Sequence, residues 1–159
     1  MSDGVIDRSP GPGAAYSWRG DPAVPAFPDD KPLIVFDGHC AFCSGWVRFI
    51  LKRDKARRFR FLAAQSPLGE ALFRHFRLDP TDYTTSLLIE EGRVFLKAEG
   101  IIRIGEALGL PWSALRVGRL LPLAWRDGLY DVIARNRFRL GRRDRCYLAE
   151  RGDEDRFLA

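Results

Sequence analysis

Three cysteines and two histidines are all that the 159 residues hold of the soft metal ligands and redox groups. So small and odd a number of cysteines excludes a secreted disulfide framework, because one thiol stays unpaired even when the other two are oxidised. Such usage points to a reducing compartment. Completing a zinc site around Cys40 and Cys43 would fall to His39, His75 and Cys146, and no two of these stand at a ligand spacing. No metal and no cofactor is expected. Long apolar runs are missing too, and none approaches the ~18 to 20 residues that cross a bilayer. The start, Met1-Ser2-Asp3-Gly4-Val5-Ile6-Asp7, has neither the basic residues nor the apolar stretch of an export signal. The expectation is a soluble, cytoplasmic protein. No internal repeat is visible.

What the chain does have is enough hydrophobic content, 46%, to bury one core without staples. Its net charge of +5 favours anionic surroundings without specifying any chemistry. Six of the ten prolines fall at positions 10, 12, 22, 25, 28 and 32, among glycines and aspartates that break both regular periods. Residues 1–31 are therefore expected to form a disordered leader, in which Trp18, Val24 and Phe27 are the apolar groups able to touch a domain surface. The domain itself is expected over 32–148, followed by a flexible tail over 149–159.

Leu33-Ile34-Val35-Phe36 reads as a buried strand that ends at Asp37-Gly38. From Ala41 the period changes, with Phe42, Trp46, Phe49 and Ile50 recurring at helical spacing. Alternation over 58–62 predicts a second strand, and Pro67 opens a helix carrying Leu68, Ala71, Leu72 and Phe76. Residues 84–90 and 93–97, joined at Glu91-Gly92, predict an antiparallel hairpin. A helix follows over 101–108, closed by Gly109 and Pro111. The order βαβα-ββα is that of an α/β, thioredoxin-like domain: a mixed four-stranded sheet flanked by helices. Residues 113–121 and 123–138, separated at Pro122, add two C-terminal helices.

Cys40-Ala41-Phe42-Cys43 lies where strand gives way to helix. At a helix N-terminus, unpaired N–H groups and the positive end of the macrodipole favour thiolate over thiol. Cys40 is thus the expected nucleophile, and Cys43, one turn on, the resolving thiol that attacks a mixed disulfide. Two structural alternatives stand beside this reading, namely small core residues or half a zinc site. Asp37 precedes Cys40 by three residues. Its carboxylate either sits beneath the sulfurs as a proton acceptor or does ordinary Asp-Gly turn work, capping amides. His39, if protonated, would add to thiolate stabilisation. Trp46 and Phe42 are read as packing.

The residues Val35-Phe36-Asp37-Gly38-His39-Cys40-Ala41-Phe42-Cys43-Ser44-Gly45-Trp46-Val47 and Lys52-Arg53-Asp54 resemble the DCC family of thiol–disulfide oxidoreductases. Phe59-Arg60-Phe61, Leu88-Ile89-Glu90-Glu91-Gly92-Arg93-Val94, the stretch from Tyr130-Asp131 to Asn136-Arg137, and Arg143-Asp144-Arg145-Cys146 are similar to the same pattern. The resemblance implies a thioredoxin-like fold and a signature trio of Asp37, Cys40 and Cys43, and supplies no substrate; the exchange chemistry read from the dithiol calls for a disulfide-containing protein or small thiol as partner. Two features depart from well-known thioredoxins. Ala41-Phe42 separates the cysteines, and Thr84-Thr85-Ser86 stands where a proline precedes the third strand.

Cys146, in an arginine-rich setting, is read as a structural thiol or as a relay or bridge. From another class comes a binding module using residues 135–145, where Arg135, Arg137, Arg139, Arg142, Arg143 and Arg145 would grip nucleic acid, an anionic membrane or a protein partner, aided by Phe138 and Tyr147.

Overall fold

The computed structural model describes residues 14–81, Tyr83, 85–140 and 151–158. Strand β1, Leu33–Phe36, is buried at all four positions, as a strand covered on both faces must be. Strand β2, Arg60–Ala63, pairs with it in parallel, and β3, Leu87–Glu90, pairs antiparallel on the other side. Strand β4, Arg93–Leu96, closes the hairpin with β3 through Glu91 and Gly92, both in left-handed backbone at φ 48° and 79°. That geometry matches the twist of a two-residue hairpin. The order β4-β3-β1-β2 with β3 antiparallel to the rest is the thioredoxin-like arrangement.

Helix α1, Ala41–Arg53, crosses from β1 to β2, and α2, Pro67–His75, follows β2. Ser66 caps α2, its Oγ accepting from Gly69 N–H at 3.0 Å, with Pro67 in the first turn where its missing donor costs nothing. Helix α3, Lys97–Leu108, ends at Gly109 (φ 77°), and α4 spans Leu123–Asn136. Alternate side chains of β1 feed two separate cores. Leu33 and Val35 join Leu62, Leu72 and Phe73 on the α2 side, whereas Ile34 and Phe36 join Val47, Ile50, Phe61 and Ile104 on the side of α1 and α3.

Three expectations are corrected. The segment read as a disordered leader holds, from residue 14 on, a 3₁₀ turn at Ser17–Gly20 with Trp18 and Val24 in the core. Periodicity could not show this, because the packing is by isolated aromatic residues with polar handles. Trp18 stacks on Phe27 at 6.0 Å and meets Phe76 edge-on at 6.2 Å, while its Nε1–H donates to Asp29 at 3.0 Å. The tail read as flexible carries strand β5, Phe157–Leu158, parallel to β2, so the sheet has five strands and not four. Arg156 anchors it: the buried guanidinium donates to Asp54 Oδ2 at 2.5 Å and to Phe59 O at 3.1 Å. Residues 113–121 were expected as a helix of the ordinary kind, and Trp112–Leu120 is 3₁₀ instead.

Helix α4 sits differently from the others. Ala134 is its sole buried residue among those described, and polar contacts hold it across the domain. Lys97 Nζ pairs with Asp131 at 3.0 Å, and Arg126 with Glu99 at 3.1 Å. Arg119 also pairs with Glu99, at 2.7 Å, and with Glu106, tying the 3₁₀ segment to α3. This C-terminal layer stands over the dithiol end of the sheet.

Candidate active site

Strand β1 delivers the chain into the turn Asp37-Gly38-His39. Asp37 shapes that turn, accepting at Oδ1 from His39 N–H at 2.9 Å and from Gln65 Nε2 at 2.5 Å, while Gly38 N–H donates to Gln65 Oε1 at 3.0 Å. Cys40 then caps α1 in extended backbone. Its Sγ accepts from Cys43 N–H at 3.2 Å, the position a serine or aspartate oxygen occupies in an ordinary N-cap. Ser44 N–H donates to Cys40 O at 3.0 Å to begin the helix.

This geometry separates the two thiols electrostatically. Cys40 is lowered to about 7, first because the Cys43 thiol donates to its sulfur, and then because the Cys43 amide does so and the Arg137 guanidinium lies near; burial and the Asp37 charge oppose these. Cys43 is pushed strongly upward by the same contact with Cys40, by burial and by the Cys40 and Asp37 charges. One sulfur therefore ionises near neutrality while the other holds its proton. Their surfaces differ in the other direction: Cys40 is completely covered, whereas Cys43 is half-buried and lines a cavity.

Arg137 escaped sequence reasoning as a site residue. It sits where α4 passes into the 3₁₀ turn Arg137–Leu140, and that turn packs on α1. Its Nη2 meets Asp37 Oδ2 at 3.1 Å, both side chains being almost wholly buried (5% and 4% exposed). Asp37 thus does the turn work envisaged for it and, in addition, forms an ion pair whose charges act on both sulfurs. His39 is half-buried, and the cation acting on Cys40 is Arg137, a hundred positions from the Asp37 it pairs with. The signal that could have found it was its place in the quoted stretch from Tyr130 to Arg137, where it was counted with the surface arginines. Of that group Arg135 and Arg139 are exposed; Arg142, Arg143, Arg145, Cys146 and Tyr147 lie outside the described residues. Trp46 packs as read, stacking on Phe49 at 5.3 Å. Phe42 does not: it is 43% exposed at the cavity.

Among the described residues no group of three or more His, Cys, Asp or Glu side chains is placed to hold a metal ion. Nor, among them, is any helix long and apolar enough to cross a membrane.

A family model described as DCC1-like thiol-disulfide oxidoreductase matches residues 34–143, which take in β1, the dithiol turn and α4. The chain belongs to that family. Similar to it is a DCC family protein of Arabidopsis thaliana, named as chloroplastic, 36% identical over 76% of this chain and 71% of that protein. The uncharacterized protein YuxK of Bacillus subtilis is 32% identical over 79% of this chain and 93% of its own. No solved structure matches the chain. The DCC family assignment puts thiol–disulfide oxidoreductase character at the level of the family, and one relative's chloroplast address shows that the family is not confined to the cytoplasm.

The pH dependence of Cys40 reactivity follows from its surroundings. Alkylation of the reduced protein, followed by mass mapping of the Cys40 peptide, should accelerate through a midpoint near pH 7 as thiolate forms. A midpoint at the free-cysteine value of about 8.5 would mean that the amide, thiol and guanidinium contacts do not hold in solution.

Proposed function

We propose that this chain catalyses thiol–disulfide exchange, with Cys40 as nucleophile and Cys43 as resolving thiol. The observation that carries the reading is the cap of α1, where Cys40 Sγ accepts from the Cys43 amide at 3.2 Å and sits within reach of the Arg137 guanidinium, an arrangement that favours thiolate at Cys40 and the protonated thiol at Cys43. The Cys40 thiolate attacks one sulfur of a substrate disulfide, forming a mixed disulfide and expelling a thiolate that takes up a proton. Cys43 then gives up its proton, with Asp37 as the acceptor, and attacks Cys40 Sγ. The Cys40–Cys43 disulfide forms, the second substrate thiol leaves, and two electrons have passed from enzyme to substrate. The reverse sequence oxidises a dithiol. Disulfides of proteins or of small molecules are the substrates, and the compartment is the cytoplasm.

A redox titration against dithiothreitol tests this directly. Oxidised protein should contain a Cys40–Cys43 link that opens in a single two-electron step, with Cys146 free throughout. A protein whose two thiols never join at any poise is not an exchange enzyme of this kind.

One observation favours a second order of events. Cys43, not Cys40, opens onto the cavity. Cys43 could meet the substrate first by passing its proton to the Cys40 thiolate as it attacks, leaving Cys40 to resolve. The two orders differ in which serine variant traps the mixed disulfide.

A further inference from the structure

The space beneath α4 is a partly open cavity of about 190 Å³ between that helix, α1, α3 and the sheet. At roughly 30 Å³ per water it holds the equivalent of about six waters, the room of an aromatic ring with a short substituent and far less than a polypeptide segment needs. Its walls are largely apolar, with Phe42, Trp46, Ile101 and Ile133 facing inward alongside Cys43. Among the described residues the charges that reach it, Asp37 and Arg137, face each other at 3.1 Å. A carboxylate brought in by a ligand would therefore compete with Asp37 for its cation or go without one, at a heavy desolvation cost.

The backbone at the start of β3 points the same way. Extended peptides dock through main-chain hydrogen bonds, and Ser86 N–H, which opens β3 beside the cavity, donates instead to Tyr130 Oη of α4 at 3.0 Å. Ser86 Oγ shares the same hydroxyl at 3.0 Å. The C-terminal layer thus occupies the main-chain donor beside the cavity, and β3 itself is paired on both sides, with β1 and β4, so no free main-chain edge of that strand faces an incoming peptide.

We propose that this cavity is the substrate site and that it takes small, uncharged disulfides with an aromatic or branched aliphatic body, in preference to peptides and to charged low-molecular-weight disulfides. The assignment rests on the exchange chemistry proposed above and holds for either order of attack. The substrate disulfide is the oxidant: its S–S bond breaks, the Cys40–Cys43 bond forms, and the two protons of the dithiol end on the two thiols released.

Two aryl disulfides with the same reacting bond test it: neutral 2,2′-dithiodipyridine and its carboxylated analogue 6,6′-dithiodinicotinic acid. Each enzymic rate, with dithiothreitol as electron source, is divided by the uncatalysed rate with dithiothreitol alone. The neutral compound should be favoured at least about tenfold, a difference of about 1.4 kcal/mol, and oxidised insulin should be reduced no faster than without enzyme. Ala134→Phe, which fills the space under α4, should erase that preference. Ile133→Asn, at a wall position already 47% exposed and so gentle on folding, should reduce it. Equal normalised rates for the two aryl disulfides, or insulin reduced faster than either, would overturn the assignment while leaving exchange chemistry intact. Absence of any dithiol cycling, even with dithiothreitol, would remove both.

Discussion

Cys40→Ser should abolish disulfide turnover, a loss of three orders of magnitude or more on the rough scale at which removal of a nucleophile acts, whereas Cys43→Ser should accumulate a mixed disulfide with the substrate. The asymmetry comes from the cap. Cys40 Sγ receives the Cys43 amide at 3.2 Å and the Cys43 thiol besides, so it is lowered toward neutrality and forms thiolate readily; a serine hydroxyl in the same place stays protonated and cannot attack sulfur. With Cys43 replaced by serine, the helix still offers Cys40 its amide, the first exchange still occurs, and nothing resolves the product. The serine hydroxyl still donates to the Cys40 sulfur, so the largest influence lowering that thiol is kept and trapping can be read near neutral pH. Mass spectrometry of the non-reduced variants after incubation with substrate decides the outcome: an adduct on Cys40→Ser and none on Cys43→Ser would reverse the roles and give Cys43 the first attack.

Much of this site was legible because its pieces are local. A four-residue apolar run, a turn with Asp-Gly, and a change of period at Ala41 place Cys40 at a helix cap without any long-range information, and the cap is where thiolate is favoured. The hairpin at Glu91-Gly92 was equally plain. What failed to show was held by contacts far apart in the chain. Two residues, Phe157 and Leu158, are too short to display any period, yet they pair with β2 because Arg156 is fixed on Asp54, 102 positions earlier. Trp18 reaches the core by its own bulk, with no repeating pattern around it. In the C-terminal layer hydrophobicity even misleads. Leu120 and Trp125 are 84% and 70% exposed, so the apolar residues there do not mark a buried face, and α4 is placed by ion pairs and one tyrosine hydroxyl. Arg137 looked like one member of a charge run because no sequence pattern separates a buried arginine from its exposed neighbours.

Breaking the Asp37–Arg137 pair from one side should be the costliest change at this site. Arg137→Met leaves the Asp37 carboxylate buried with its two neutral donors, Gln65 and the His39 amide, and without its cation. Removing one partner of a buried pair costs about 3–5 kcal/mol, so the urea midpoint should fall sharply. Exchange chemistry should suffer separately. The guanidinium lowers the Cys40 thiol and the carboxylate raises it, so losing the first leaves the second unopposed and moves the alkylation midpoint upward. Asp37→Asn in the same protein removes the stranded charge. The double variant should recover most of the stability, because a neutral amide beside methionine carries no unpaired charge, and the alkylation midpoint should come back part of the way as the opposing carboxylate disappears. Purely additive losses in this cycle would show that the two side chains do not interact in solution. The pair would then be no more than a neighbour of the dithiol, and the C-terminal layer would lose its electrostatic link to the sulfur it covers.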